Sequence, residues 1–87
     1  LDLYTTVAQS GDPYAQKMVG TMYSNGLGVQ PDRIKAHMWF RISAENGMAL
    51  ALKEQEELAA EMALDEVALA NSMATKCLET NFLECDY

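Results

Sequence analysis

The run Gly11-Asp12-Pro13-Tyr14-Ala15-Gln16, continuing through Val19-Gly20-Thr21-Met22-Tyr23-Ser24-Asn25-Gly26-Leu27-Gly28-Val29, decides the fold. Asp12-Pro13 reads as a helix start. The Asp carboxylate accepts from the first free N–H groups, and the proline falls where a missing N–H costs nothing. Ala15, Val19, Met22 and Tyr23 then share one face at helical spacing. Asn25-Gly26 ends that helix on a residue that takes positive φ. Gly26 to Pro31 is a tight connector, after which Asp32 caps a second helix. This one carries Ala36, Trp39, Phe40 and Ala44 and stops near Asn46-Gly47.

Working outward, the chain repeats itself. Displacing it by 36 residues lays Leu3-Tyr4 on Trp39-Phe40, Ala8 on Ala44, Gly11 on Gly47, Ala15 on Ala51 and Lys17 on Lys53. Each copy is a bulky pair, then Ala four residues on, then Gly three further, then Ala after another four. On a helix this puts bulk and Ala on one side, with Gly just past the end. The segment 1–9 is then the second helix of a preceding unit, and further helices are expected at about 48–62 and 65–80. Asp65 and Glu66 favour the start of the last through its dipole. The expectation is five helices as antiparallel neighbours. Composition agrees: apolar residues are 49% of the chain, mostly unbranched or Ala, and only 5 Gly and 2 Pro occur. That balance suits helices and leaves too few turn residues for a sandwich or barrel.

The quoted run, with Asp32-Arg33-Ile34-Lys35-Ala36-His37-Met38-Trp39-Phe40 and Ala44-Glu45-Asn46-Gly47, resembles a Sel1-like repeat. The family's pattern is an Ala-bearing first helix with a hydrophobic-Gly pair and Tyr, then Gly-x-Gly-Val, then Asp, Lys-Ala and an aromatic-rich second helix. The resemblance implies a TPR-like, right-handed α/α solenoid of antiparallel hairpins. The organisation expected is one domain over 1–87: the end of a preceding repeat at 1–10, a complete repeat at 11–46, and a partial repeat plus a capping helix at 47–87. The second copy decays where Gln55-Glu56 replaces Val19-Gly20 and Ala59 replaces Tyr23. Glu56 does not permit the close helix approach that Gly20 does, so regular stacking is expected to stop there. The stretch 62–77 is similar to the closing helix of bacterial Sel1-like proteins, with Glu54, Glu56, Glu57 and Glu61 supplying the polar outer face such a cap needs. The chain opens on Leu1 without a charged-then-apolar leader, which reads as a piece of a longer or processed protein.

Charge excludes some partners. The net charge is −7, and six Lys and Arg form no stripe, so nucleic acid and anionic membrane surfaces are disfavoured. No apolar run reaches the roughly 20 residues of a membrane span. His37, the lone histidine, has no second His or Cys at ligand spacing and reads as a partly exposed helix residue, so no metal site is expected. The glutamates read as a solvated face, with Lys53 offsetting Glu57 one turn on. Gly26-Leu27-Gly28 lacks the strand and the Lys-Ser/Thr of a phosphate loop and reads as a turn between paired helices. No cofactor and no catalytic residue is expected.

Cys77 and Cys85 would stand about 12 Å apart on one continuous helix, too far to bridge. A chain reversal near Asn81 brings them together. Some secreted Sel1-like proteins are similar in clipping helices with cysteines that have seven residues between them, as here. Free thiols are the alternative; the disulfide is narrowly favoured, and with it a periplasmic or secreted location.

The resemblance implies a bacterial scaffold or adaptor that binds a protein or peptide without catalysis. Stacked first helices in related solenoids line a concave groove, which points to Tyr14, Lys17, Thr21, Lys53 and Glu57 as the contact residues. Self-association through the apolar N-terminal helix is a further expectation. An alternative, that the protein binds or hydrolyses penicillins as suggested for cysteine-containing secreted relatives, finds no nucleophile beside a base in this sequence.

Overall fold

The computed structural model describes residues 2–83 and Cys85 and is all-α. Its helices are α1 (Asp2–Gln9), α2 (Pro13–Asn25), α3 (Arg33–Glu45), α4 (Ala49–Ala59) and α5 (Leu64–Glu79). Among the described residues there is no strand. Leu1, expected on the N-terminal apolar face, and Glu84, between the two cysteines, lie outside the described residues.

The starts and stops follow the chemistry of the sequence. Asp12 accepts from Ala15 N at 3.1 Å, and Asp32 caps α3 through Lys35 N at the same distance. Gly26, at φ 69°, closes α2 by turning its N–H back to the Met22 carbonyl. Glu66 reaches back to Ala63 N at 2.9 Å and fixes the entry to α5. Gly11 and Gly47 sit at φ 103° and 104°, so the corners 36 residues apart are the same turn. The helices are slightly shorter than the sequence suggests: α4 stops at Ala59, where a turn over Ala60–Met62 redirects the chain.

The third helix is the centre of the molecule, packed by α2, α4 and α5. Hence Ala36, Met38, Trp39, Phe40 and Ile42 are all buried. The approach of α2 is set by Gly20. A Cβ there would stand 2.6 Å from the Phe40 ring, so only a bare backbone admits it. Ser43 Oγ donates to the Pro13 carbonyl at 2.6 Å at the other end of the same contact. Buried Gln16 donates to the Ala8 carbonyl and accepts from Asn46 Nδ2, both at 3.0 Å. One side chain thus joins the ends of α1 and α3 to α2.

His37 differs from its expected exposure. It is 1% exposed, on the helix that α2, α4 and α5 all pack against. Its Nδ1 meets no hydrogen-bond partner among the described residues. Burial first, and the Arg41 cation one turn on second, lower its pKa from 6.5.

The last hairpin departs from the regular pattern. Here α5 makes its main contact with α3 rather than running along α4. Arg33 holds this arrangement, donating to the Glu61 carbonyl at 3.1 Å and lying 3.7 Å from the Glu66 carboxylate. Beyond α5 the chain reverses: Asn81 and Phe82 take φ 52° and 67°, and Phe82 N donates to the Cys77 carbonyl at 2.8 Å. The reversal brings Cys85 to Cys77, the two paired as a disulfide with Cα atoms 4.2 Å apart.

Three outcomes follow from this packing. Reduction, or Cys77→Ala, is expected to remove about 2–3 kcal/mol, the closure entropy of so short a loop. That lowers Tm by roughly 10–20 °C in a domain of this size, read by thermal melts with and without reductant. Gly20→Ala is expected to lose about 1–2 kcal/mol in urea melts, because the clash with Phe40 exceeds the helix-propensity gain of about 1 kcal/mol. His37 works against stability in mild acid. Its folded pKa is depressed, so above 6.5 both states are neutral and no penalty exists. As pH falls through 6.5 the unfolded chain takes up a proton that the folded one refuses, and stability declines. Urea melts at neutral and mildly acid pH should show this loss, and His37→Gln should reduce it.

Candidate functional site

Because α2 and α4 both flank α3 and do not pack tightly on each other, a cleft opens between them with Phe40 of α3 as its floor. Its volume is about 330 Å³. Thr21, Ser24 and Asn25 line the α2 wall; Glu54, Glu57 and Leu58 line the α4 wall, with Glu61 just beyond. The helical period explains both walls: residues at i, i+3 or i+4, and i+7 share a face. Thr21 and Ser24/Asn25 fall on one such stripe, and Glu54, Glu57/Leu58 and Glu61 on the other.

The electrostatics are one-sided. Lys17 Nζ lies 3.0 Å from Glu54 Oε1 and spans the two helices. Both side chains are partly solvated, so the pair contributes at most about 1 kcal/mol. Glu57 and Glu61 are exposed and add negative charge along the same wall. Thr21 Oγ1 donates to the Lys17 carbonyl at 3.1 Å, which leaves its oxygen lone pairs facing outward as acceptors. The cleft is therefore an acceptor-rich, acidic slot over an aromatic floor, suited to a cation carried on an apolar stem.

The structure brings together some of the residues singled out from the sequence. Thr21 and Glu57 line the cleft, and Lys17 reaches the same wall through Glu54. Tyr14 is 55% exposed and Lys53 is exposed; neither lines the cleft. Among the described residues no ion pair joins Lys53 to Glu57; Lys17–Glu54 is a cross-helix pair. Glu54, Glu61, Ser24, Asn25 and Phe40 were not anticipated as lining residues. The Glu54–Glu57–Glu61 spacing was a usable signal for three of the wall positions, but which neighbour faces them is a property of packing.

Among the described residues, the His and Cys side chains lie apart from the cleft. His37 is sealed in the core, and Cys77 and Cys85 are joined to each other at the end of α5. Among the described residues no three His, Cys, Asp or Glu side chains gather as a metal site. No helix among the described residues is long and apolar enough to cross a membrane.

Comparison with known families adds one finding. Residues 13–48 match the family model described as Sel1 repeat, which covers α2, the connector and α3 through the Gly47 corner. No curated protein and no solved structure matches the chain. The matched segment is the one in which Asp32 caps α3, Gly20 admits Phe40, and Gly47 makes the corner. Residues 13–48 of this chain form a Sel1 repeat.

Proposed function

We propose that the domain is a non-catalytic protein-binding scaffold whose cleft between α2 and α4 receives a basic segment of a partner protein. One observation carries the reading: three glutamates line a concave slot floored by Phe40, with Lys17 paired to one of them at its edge. Membership of residues 13–48 in a repeat family that generally serves protein–protein contact supports it. A net charge of −7 points the same way, toward a basic partner and away from nucleic acid. Thr21 and Glu57 form the centre of the contact. Lys17 holds Glu54 in place, and Tyr14 and Lys53 extend the two walls toward the helix starts.

Separately, the apolar residues that α1 leaves bare support self-association as a second contact. Leu3 is 83% exposed and Val7 46%, on a helix too short to be stable without a neighbour.

The cleft reading is tested with an array of Lys- and Arg-bearing peptides, binding measured at low and moderate salt. Charge reversal at Glu57 and Glu61, both exposed, is expected to leave the melting curve unchanged. It should weaken peptide binding by at least tenfold, which is about 1.4 kcal/mol. The salt dependence should flatten with it. Retention of the same peptides by the Glu57→Lys, Glu61→Lys double variant sinks this assignment.

A further inference from the structure

The chain carries the dipeptide Asn-Gly twice, at Asn25-Gly26 and at Asn46-Gly47. This pairing is prone to one spontaneous reaction. The glycine main-chain nitrogen gives up its proton and attacks Cγ of the asparagine; the bond from Cγ to Nδ2 breaks and ammonia leaves. Water then opens the cyclic imide at one carbonyl or the other, leaving aspartate or its isomer with the main chain routed through the side chain. Glycine favours the closure because it has no Cβ to obstruct the attack. The ring forms only when the asparagine ψ swings away from its helical value, so the surrounding fold decides which copy reacts. Both asparagines are exposed, and water reaches each. Their backbones differ. Asn25 is the last residue of α2, and Gly26 N donates to the Met22 carbonyl. Leu27 N and Asp32 N then bond the Met22 and Tyr23 carbonyls at 2.9 Å. Gly26 is also hemmed in, since a Cβ there would stand 2.8 Å from the Pro31 ring. The second corner is looser. Asn46 lies beyond the last residue of α3, and nothing stands within 4 Å of where a Gly47 Cβ would be. The backbone bonds that follow it, Gly47 N to Ala44 and Met48 N to Ser43, are both 3.1 Å.

We propose that Asn46 is a site of spontaneous deamidation in the folded protein, and that its conversion releases α1 from α2. The reactants are the chain and water alone. What gives the site a consequence is the bond its side chain makes. Asn46 Nδ2 donates to Gln16 Oε1 at 3.0 Å, and Gln16 Nε2 donates to the Ala8 carbonyl at 3.0 Å. Gln16 is 0% exposed, so neither end of its amide can turn to water instead. A carboxylate at position 46 accepts and does not donate. Left in place, Gln16 sets Oε1 against a negative oxygen. Turned over, it bonds the carboxylate through Nε2 and sets Oε1 against the Ala8 carbonyl. Either way two acceptors face each other and one of the two bonds is lost. The new charge also stands at the carbonyl end of α3, where the helix dipole opposes it. The cleft between α2 and α4 is untouched, because Asn46 is not one of its lining residues.

The test is incubation of the intact folded chain in warm, mildly alkaline buffer made with heavy-oxygen water, followed by digestion and mass spectrometry of both Asn-Gly peptides. Label is expected at Asn46 while Asn25 keeps its amide. In urea, where local sequence alone acts, the two should convert alike. Equal rates at both positions in the folded chain, or an Asn46 that keeps its amide, overturn the site. Its consequence is read on Asn46→Asp, which carries one of the two products from the start. Its Tm should fall by roughly 4–8 °C, the shift that losing one hydrogen bond makes in a domain of this size. Amide exchange should quicken in α1 more than in α5. A variant that melts and exchanges like the wild type overturns the release of α1. In a Gln16→Met background Asn46→Asp should lower Tm by less than it does in the wild type. An equal loss assigns the whole effect to charge at the end of α3 and removes Gln16 from the proposal.

Discussion

The contact of Phe40 with the backbone of Gly20 governs the rest of the structure. A glycine inside a helix weakens that helix by about 1 kcal/mol, and α2 carries one because any Cβ would enter the aromatic ring. The close approach so gained lets Ser43 reach the Pro13 carbonyl and seals one long side of α3. With α4 and α5 on its other sides, the middle of α3 from Ala36 to Phe40 is buried all round. A helix in that position must be apolar over most of its surface, which Ala36 to Ile42 satisfies except at His37 and the half-buried Arg41. The Nδ1 of that imidazole is buried without a hydrogen-bond partner among the described residues.

The same contact shapes the surface. Since α2 is pulled tightly onto α3, Phe40 lies at the bottom of the gap between α2 and α4 rather than deep in a layer of its own. The two faces of α4 then have different characters. The face toward α2 is acidic and acceptor-rich; the face away from it presents Leu52 and Gln55.

Much of this was legible in the sequence where the cause is local. Asp12-Pro13, Asp32, Asn25-Gly26 and the paired corners at Gly11 and Gly47 each act through the few residues around them, and each stands where expected. The reversal at Asn81 is of the same kind. What escaped reading depends on which helix lies over which. His37 looked half-exposed because the packing of α2, α4 and α5 around α3 is a long-range matter. Lys17 was placed on a binding face, but its partner Glu54 comes from another helix and is invisible to an i,i+4 search. The cleft residues were half-legible for the same reason: the Glu54–Glu57–Glu61 stripe can be seen, while the wall opposite cannot.

Gln16 has a bearing on how such a domain comes apart. Stacked helical units touch only their neighbours and tend to unravel from the ends, one unit at a time. Here a single buried amide is bonded both to the last turn of α1 and to the residue that ends α3. Fraying α1 would strand that amide's donor in a dry interior, a loss on the order of 1–3 kcal/mol. The amide thus sets a toll on opening the first interface, and the three helices it joins are coupled into one melting unit despite their serial layout.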